Sequence, residues 1–189
     1  MNMMKRILTL AAAAVLAGPS VLAAITVLPL SEEEITKRAM LIVMGEVRSV
    51  ESRFDEKHQT IYTYVTLEAT RVLKGQLAGS EVVVRQMGGE AGGETVAVPG
   101  SPEYTPGDEV LLFTGPLGDT GYWGVLGIFY GKYDILRDPA TGARYVEGPS
   151  FRTVHTDPVT FEALPQRQRP ARVMLDEFLA EIERYIAND

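Results

Sequence analysis

The clearest periodicity in the chain lies at residues 60–74. Ile61, Val65, Leu67, Ala69 and Leu73 fall on one side of an extended backbone, and Tyr62, Tyr64, Thr66, Glu68 and Thr70 on the other. A period of two, rich in β-branched and aromatic residues, predicts a long strand with one buried face. Residues 40–52 are apolar first and then alternate, which predicts a preceding strand, with Gly45 marking a bend where it curls. The charged segment 53–59 between the two reads as a hairpin loop. Lys74-Gly75 ends the long strand, and residues 81–87 form a third. The unbroken apolar run Val110, Leu111, Leu112 and Phe113, after the turn Pro106-Gly107-Asp108, predicts a central strand over 109–114. Shorter strands are expected at 122–126, 132–136 and 144–146, the last two joined by a turn at Asp138-Pro139-Ala140-Thr141-Gly142. Residues 96–98 are expected to pair briefly, and 147–169 are less regular.

The pattern changes to helical spacing at both ends of this β region. Ser31 followed by Glu34 is a capping box, and Glu32 to Glu34 suit the positive end of a helix reaching Arg38 or Ala39. Over residues 172–186, Leu175, Phe178, Leu179, Ile182 and Ile186 form one stripe of an amphipathic helix that packs on the domain's own sheet. Many short strands between two terminal helices predict a mostly-β domain, a small barrel or sandwich.

The first residues have a different character. Lys5 and Arg6 precede an apolar run from Ile7 to Gly18, broken by Pro19 and Ser20, with Val21-Leu22-Ala23 beyond. This is the pattern of a secretory signal, residues 1–23, cleaved after Ala23; the run is short for a membrane span of about 20 residues. Residues 24–189 then form a single β-rich domain, exported to a periplasmic or extracellular location and without a transmembrane anchor. Losing Lys5 and Arg6 and no carboxylate moves the net charge from −7 to −9.

Composition narrows the chemistry. Eighteen Lys and Arg against 25 Asp and Glu disfavour a nucleic-acid partner, since phosphate contacts need clustered cations. The absence of cysteine removes disulfides, thiol nucleophiles and thiolate metal sites. The two histidines, His58 and His155, are scattered, and HExxH and GxSxG motifs are absent. Asp119 and Asp138 lack the regularly spaced oxygens of a calcium loop. No cofactor, metal or catalytic residue is expected, and the domain reads as non-enzymatic.

Two features suggest binding instead. The loop Gly88, Gly89, Glu90, Ala91, Gly92, Gly93, Glu94 carries two glutamates and no lysine, so it does not suit phosphate; it reads as a flexible rim loop open to a partner. Trp123 is the single tryptophan, with Tyr122, Phe129, Tyr130 and Tyr133 close by. This set reads either as a patch for a protein or glycan or as sheet packing. Gly88, Gly89, Glu90, Gly92, Gly93, Glu94 and Trp123 are therefore the candidate partner-binding residues, and the charged hairpin from Arg53 to Gln59 is a further expected contact.

The segments LIVMGEVRSVESRFDEKHQTIYTYVTLEATRVLKG, VVVRQMGGEAGGE and YTPGDEVLLF, within residues 39–114, resemble exported bacterial proteins with the same strand, charged hairpin, long strand and Lys-Gly order. More distantly they resemble the netrin-like module, the oligonucleotide/oligosaccharide-binding (OB) type of barrel found in tissue inhibitors of metalloproteinases. The resemblance implies an OB-like barrel with a helix at each end packed beside it. It brings in metalloprotease inhibition as an alternative function, although the inhibitors' tethered N-terminal cysteine has no counterpart here. The expectation is thus a monomeric, exported binding module whose partner is a protein of the envelope or secreted fraction. A hydrolase using two carboxylates is the rival from another class.

Overall fold

The two unbroken apolar runs pair with each other at the centre of the molecule. In the computed structural model, which describes residues 31–128, 130–148 and 172–189, strand β1 (Leu41–Asp55) runs antiparallel to β6 (Glu109–Pro116), with Ile42 opposite Phe113 and Val43 opposite Leu112. Each run is apolar throughout because both of its faces are covered. Leu41, Val43, Val110 and Leu112 point into one cluster, shared with Val47, Val65, Leu67, Val82 and Val84. Ile42, Met44, Leu111 and Phe113 point into a second, where both helices pack.

The remaining strands are β2 (Thr60–Lys74), β3 (Glu81–Met87), β4 (Gly89–Ala91), β5 (Glu94–Val96), β7 (Trp123–Val125), β8 (Lys132–Arg137), β9 (Arg144–Glu147) and β10 (Arg172–Met174). Of the ten strands among the described residues, a single sheet takes eight in the order β1-β2-β3-β7-β6-β8-β9-β10, with β1 pairing again to β6, while β4 and β5 form a separate hairpin. All pairs are antiparallel except β3 with β7, which meet in parallel at Val84 and Trp123.

β1 serves two neighbours by bending. Its register against β2 shifts between Met44 and Gly45 and again between Val47 and Ser49, the bulges that add twist to a strand. A Cβ at Gly45 would stand 2.3 Å from the Glu68 carbonyl oxygen, so only glycine lets β2 come this close. Where β1 leaves β6, the Pro106-Gly107-Asp108 turn takes over. Gly107 donates its amide to the Val47 carbonyl, and Val47 donates to Asp108, both at 2.8 Å.

Helix α1 (Glu32–Arg38) starts at the expected capping box, with the Ser31 hydroxyl and the Glu34 carboxylate each satisfying the other's amide. At its far end, Lys74 Nζ donates to the carbonyls of Thr36 and Lys37 at 3.0 and 3.1 Å and to Asp189 at 2.9 Å. A cation at a helix C-terminus is favourable, and here it ties α1, β2 and the chain's last residue together. Helix α2 (Leu175–Ala187) buries Leu175, Phe178, Leu179 and Ile182 against the second cluster, with the Phe178 ring 4.8 Å from that of Tyr133.

The structure corrects three sequence expectations. The C-terminal helix starts at Leu175, not Arg172, because Arg172, Val173 and Met174 pair with β9 as β10. The hairpin loop after β1 shrinks to the four residues 56–59, since β1 runs on to Asp55 opposite Thr60. The glycine-rich segment expected as a flexible loop is instead a strand hairpin, β4 and β5 turning at Gly92 and Gly93 with φ +61° and +83°, and of residues 96–98 only Val96 pairs, with Gly89. The expected signal segment 1–23, Phe129, His155 and most of 147–169 lie outside the described residues. The mostly-β architecture with one helix towards each end stands as expected.

Candidate functional site

The alternation that buries one face of β2 turns its tyrosines outward. Ile61, Thr63, Val65 and Leu67 are buried, and Tyr62, Tyr64 and Thr66 between them are half-buried. Register with β3 sets Tyr62 opposite Met87 and Tyr64 opposite Arg85; register with β1 sets Arg53 opposite Tyr62 and Glu51 opposite Tyr64. The outer face of the three strands therefore carries one row of Arg53, Tyr62 and Met87 and a second of Glu51, Tyr64 and Arg85. Tyr122, just before β7, closes the side.

These groups touch in sequence. The His58 ring meets Tyr62 edge-on at 5.9 Å. The Arg85 guanidinium lies 4.5 Å from the Tyr62 ring and 5.5 Å from Tyr122. Tyr122 meets Tyr64 edge-on at 5.1 Å, and Arg53 stacks on Tyr64 at 5.0 Å. Each cation over a ring gains about 0.5–2 kcal/mol, depending on how far it is desolvated. Arg53 also holds Glu51 at 2.6 Å. Arg85 has no carboxylate partner among the described residues, and its Nε is buried without a hydrogen bond. Met87, half exposed at 50%, completes an apolar flank.

The charged hairpin supports one edge of this face. Asp55 accepts from the His58 amide at 2.8 Å and meets His58 Nδ1 at 3.0 Å. The His58 amide is the main reason the Asp55 carboxyl sits below its ordinary range. Gln59 takes the positive φ of +52° that closes the loop, its side-chain amide donating to the Glu56 carbonyl.

Of the regions singled out from sequence, the charged hairpin reaches this face through Arg53 and His58, while the glycine-rich segment and Trp123 lie elsewhere. Gly88 is buried at φ +100°, its amide donating to the Ile61 carbonyl and its carbonyl accepting from Thr63 Oγ1 at 2.7 Å. Gly89 lies so close to Ser52 and Thr63 that a Cβ would stand 2.3 and 2.4 Å from their hydroxyl oxygens. These two glycines fold the β4–β5 hairpin against the β1–β2 hairpin on the side opposite the tyrosines. Glu90, Gly92, Gly93 and Glu94 are exposed at its tip. Trp123 is half-buried against the first cluster beside Val125. Its neighbours divide: Tyr122 joins the outer face, while Tyr130 and Tyr133 belong to the second cluster.

The carboxylates form one visible row, Glu46 opposite Glu68 and Glu68 opposite Glu81. Arg48 bridges the first two. Among the described residues no group of three or more His, Asp or Glu side chains is arranged to hold a metal ion. No helix among them is long and apolar enough to cross a membrane.

Sequence reasoning placed Tyr62 and Tyr64 on one face but did not single them out, and it passed over Arg85 and Met87; Arg53 entered only as the first residue of the charged hairpin expected to contact a partner. Their outward positions were legible from alternation alone. That Arg85 would lie between Tyr62 and Tyr122 depends on the register of three strands. No protein-family model matches the chain, and no curated protein matches it.

Proposed function

We propose that this chain is an exported, non-enzymatic binding module that docks a protein partner on the outer face of β1, β2 and β3. The observation that carries this reading is the composition of that face. Tyr, Arg and Met are the residues enriched at protein interfaces, and Tyr and Arg dominate their energetic centres. Here three tyrosines, two arginines and a methionine meet on one sheet face, held in place by one another. Rings fixed by stacking lose little side-chain entropy on binding.

The finer reading of the fold is an OB-like, netrin-module-like barrel. Its support is the pairing sequence β1-β2-β3-β7-β6 returning to β1, with a parallel contact between β3 and β7. In OB barrels the face of the second and third strands is a common ligand surface. The site proposed here takes the same position, with a protein rather than a nucleic acid as occupant, because the net charge of −7 repels polyanions. Export rests on the signal pattern of residues 1–23.

The test is capture from envelope and secreted fractions of the source cells. The bait is the chain from Ala24 onward, compared with its Tyr62→Ala/Tyr122→Ala variant. A partner retained stoichiometrically by the wild type and lost by a variant of unchanged circular dichroism supports the reading. Equal retention by both baits removes this face from the account.

A further inference from the structure

Five of the nine described arginines keep a carboxylate. Arg48 holds Glu46 and Glu68, Arg53 holds Glu51, Arg71 holds Glu183, Arg144 holds Glu109 and Arg172 holds Glu147. Arg38, Arg137 and Arg184 have none among the described residues but stand exposed to solvent, whereas Arg85 is half-buried without one. Its guanidinium is flanked by the rings of Tyr62 and Tyr122, its Nε is shut away from solvent without an acceptor, and no carboxylate reaches it among the described residues.

A guanidinium stacked by its faces keeps its in-plane N–H groups for another acceptor. That planar fork matches a carboxylate in two parallel hydrogen bonds. Covering the face with a partner would desolvate the charge further, and a buried cation without a counter-charge is strongly unfavourable. The partner must therefore bring the anion. Glu51, in the same cross-strand row as Arg85, is held by Arg53, so one fork stands open and suits one isolated carboxylate rather than a run of charge.

We infer that Arg85 is the specificity-determining residue of this face and that its ligand is an Asp or Glu side chain of the partner protein, seated against Tyr62, Tyr122 and Met87. This rests on the reading of the face as a protein-docking surface.

The test uses a peptide library with randomised 12-residue inserts, displayed on phage and selected on the full chain. Selected peptides are then titrated against wild type, Arg85→Ala, Arg85→Lys and Tyr62→Ala/Tyr122→Ala. The expected peptides share an Asp or Glu flanked by apolar residues. Changing that residue to its amide weakens binding at least about 30-fold, as truncating a buried hydrogen-bonded charge pair does. Arg85→Ala and Arg85→Lys weaken it comparably, and combining either with the peptide amide adds little more, the mark of a direct pair. Arg85→Lys keeps the charge, so its effect separates loss of the fork from loss of fold, with the melting temperature measured alongside.

Two results overturn the inference separately. Peptides that need Tyr62 and Tyr122 but carry no acidic residue, or bind Arg85→Ala unchanged, refute the role of Arg85 and leave the docking face standing. A selection that yields no peptide dependent on the tyrosines refutes both.

Discussion

Single side chains decide where this fold stores or loses stability. Tyr104 packs against the first cluster with its hydroxyl buried and without a hydrogen-bond partner among the described residues, and burial pushes its phenol well above the ordinary value. An orphaned buried hydroxyl carries a desolvation penalty of about 1–3 kcal/mol. Tyr104→Phe should therefore melt at the same temperature as the wild type or higher; a loss of stability would show that the hydroxyl has a partner. Asp138 illustrates the opposite case. It accepts the amides of Ala140 and Thr141 at 2.8 Å, which hold its carboxyl below its usual range, the Thr141 amide most of all. Asp55 is depressed in the same direction. A lowered folded pKa means stability that is present above the unfolded value, near 3.8, and lost as the pH falls through the folded one. Asp138→Asn keeps the acceptor and removes the titration, so its melting temperature should fall less steeply than wild type below about pH 4.

At the scale of elements, β1 and α2 carry the architecture. Gly45→Ala places a methyl group against the Glu68 carbonyl at the bulge that lets β1 serve both β2 and β6. Forcing an atom into a packed site costs about 1–3 kcal/mol. The substitution should destabilise by at least that much in urea, and a neutral result would mean that β1 does not bend there. Phe178→Ala removes the largest fully buried side chain of α2, which touches Tyr133 of β8. A loss of about 3–5 kcal/mol is expected for a buried phenylalanine. A loss below 1 kcal/mol would place α2 off the core. These elements also show what could be read in advance. The bounds of β2 match expectation at both ends, because its alternation is strict and its turns are marked by Gln59 and Gly75. The strand Arg172–Met174 escaped because its spacing continues the helix, and only pairing with β9 makes it extended. The β4–β5 hairpin had a local signal, the two-residue Gly92-Gly93 turn with both φ values positive.

For the whole molecule, the proposed docking face is a juxtaposition that no local pattern encodes. Tyr62 and Tyr64, Arg85, Arg53 and Tyr122 come from three strands and a loop, separated by up to 69 positions between Arg53 and Tyr122. Alternation gives each an outward side; the twist and register of the sheet bring them to within stacking distance. The glycine-rich segment drew notice by its composition, yet its two strained glycines fold a hairpin onto Ser52 and Thr63. The central claim is that the outer face of β1–β3 meets a protein. The most direct test places a photo-crosslinking amino acid at Met87 and, as a control, at the exposed Arg137 on β8, in the source cells. The account predicts a discrete adduct of one mass from position 87 that disappears with Tyr62→Ala/Tyr122→Ala, and none from position 137. Identical adducts from both positions, or an adduct at 87 that survives loss of the tyrosines, would contradict it.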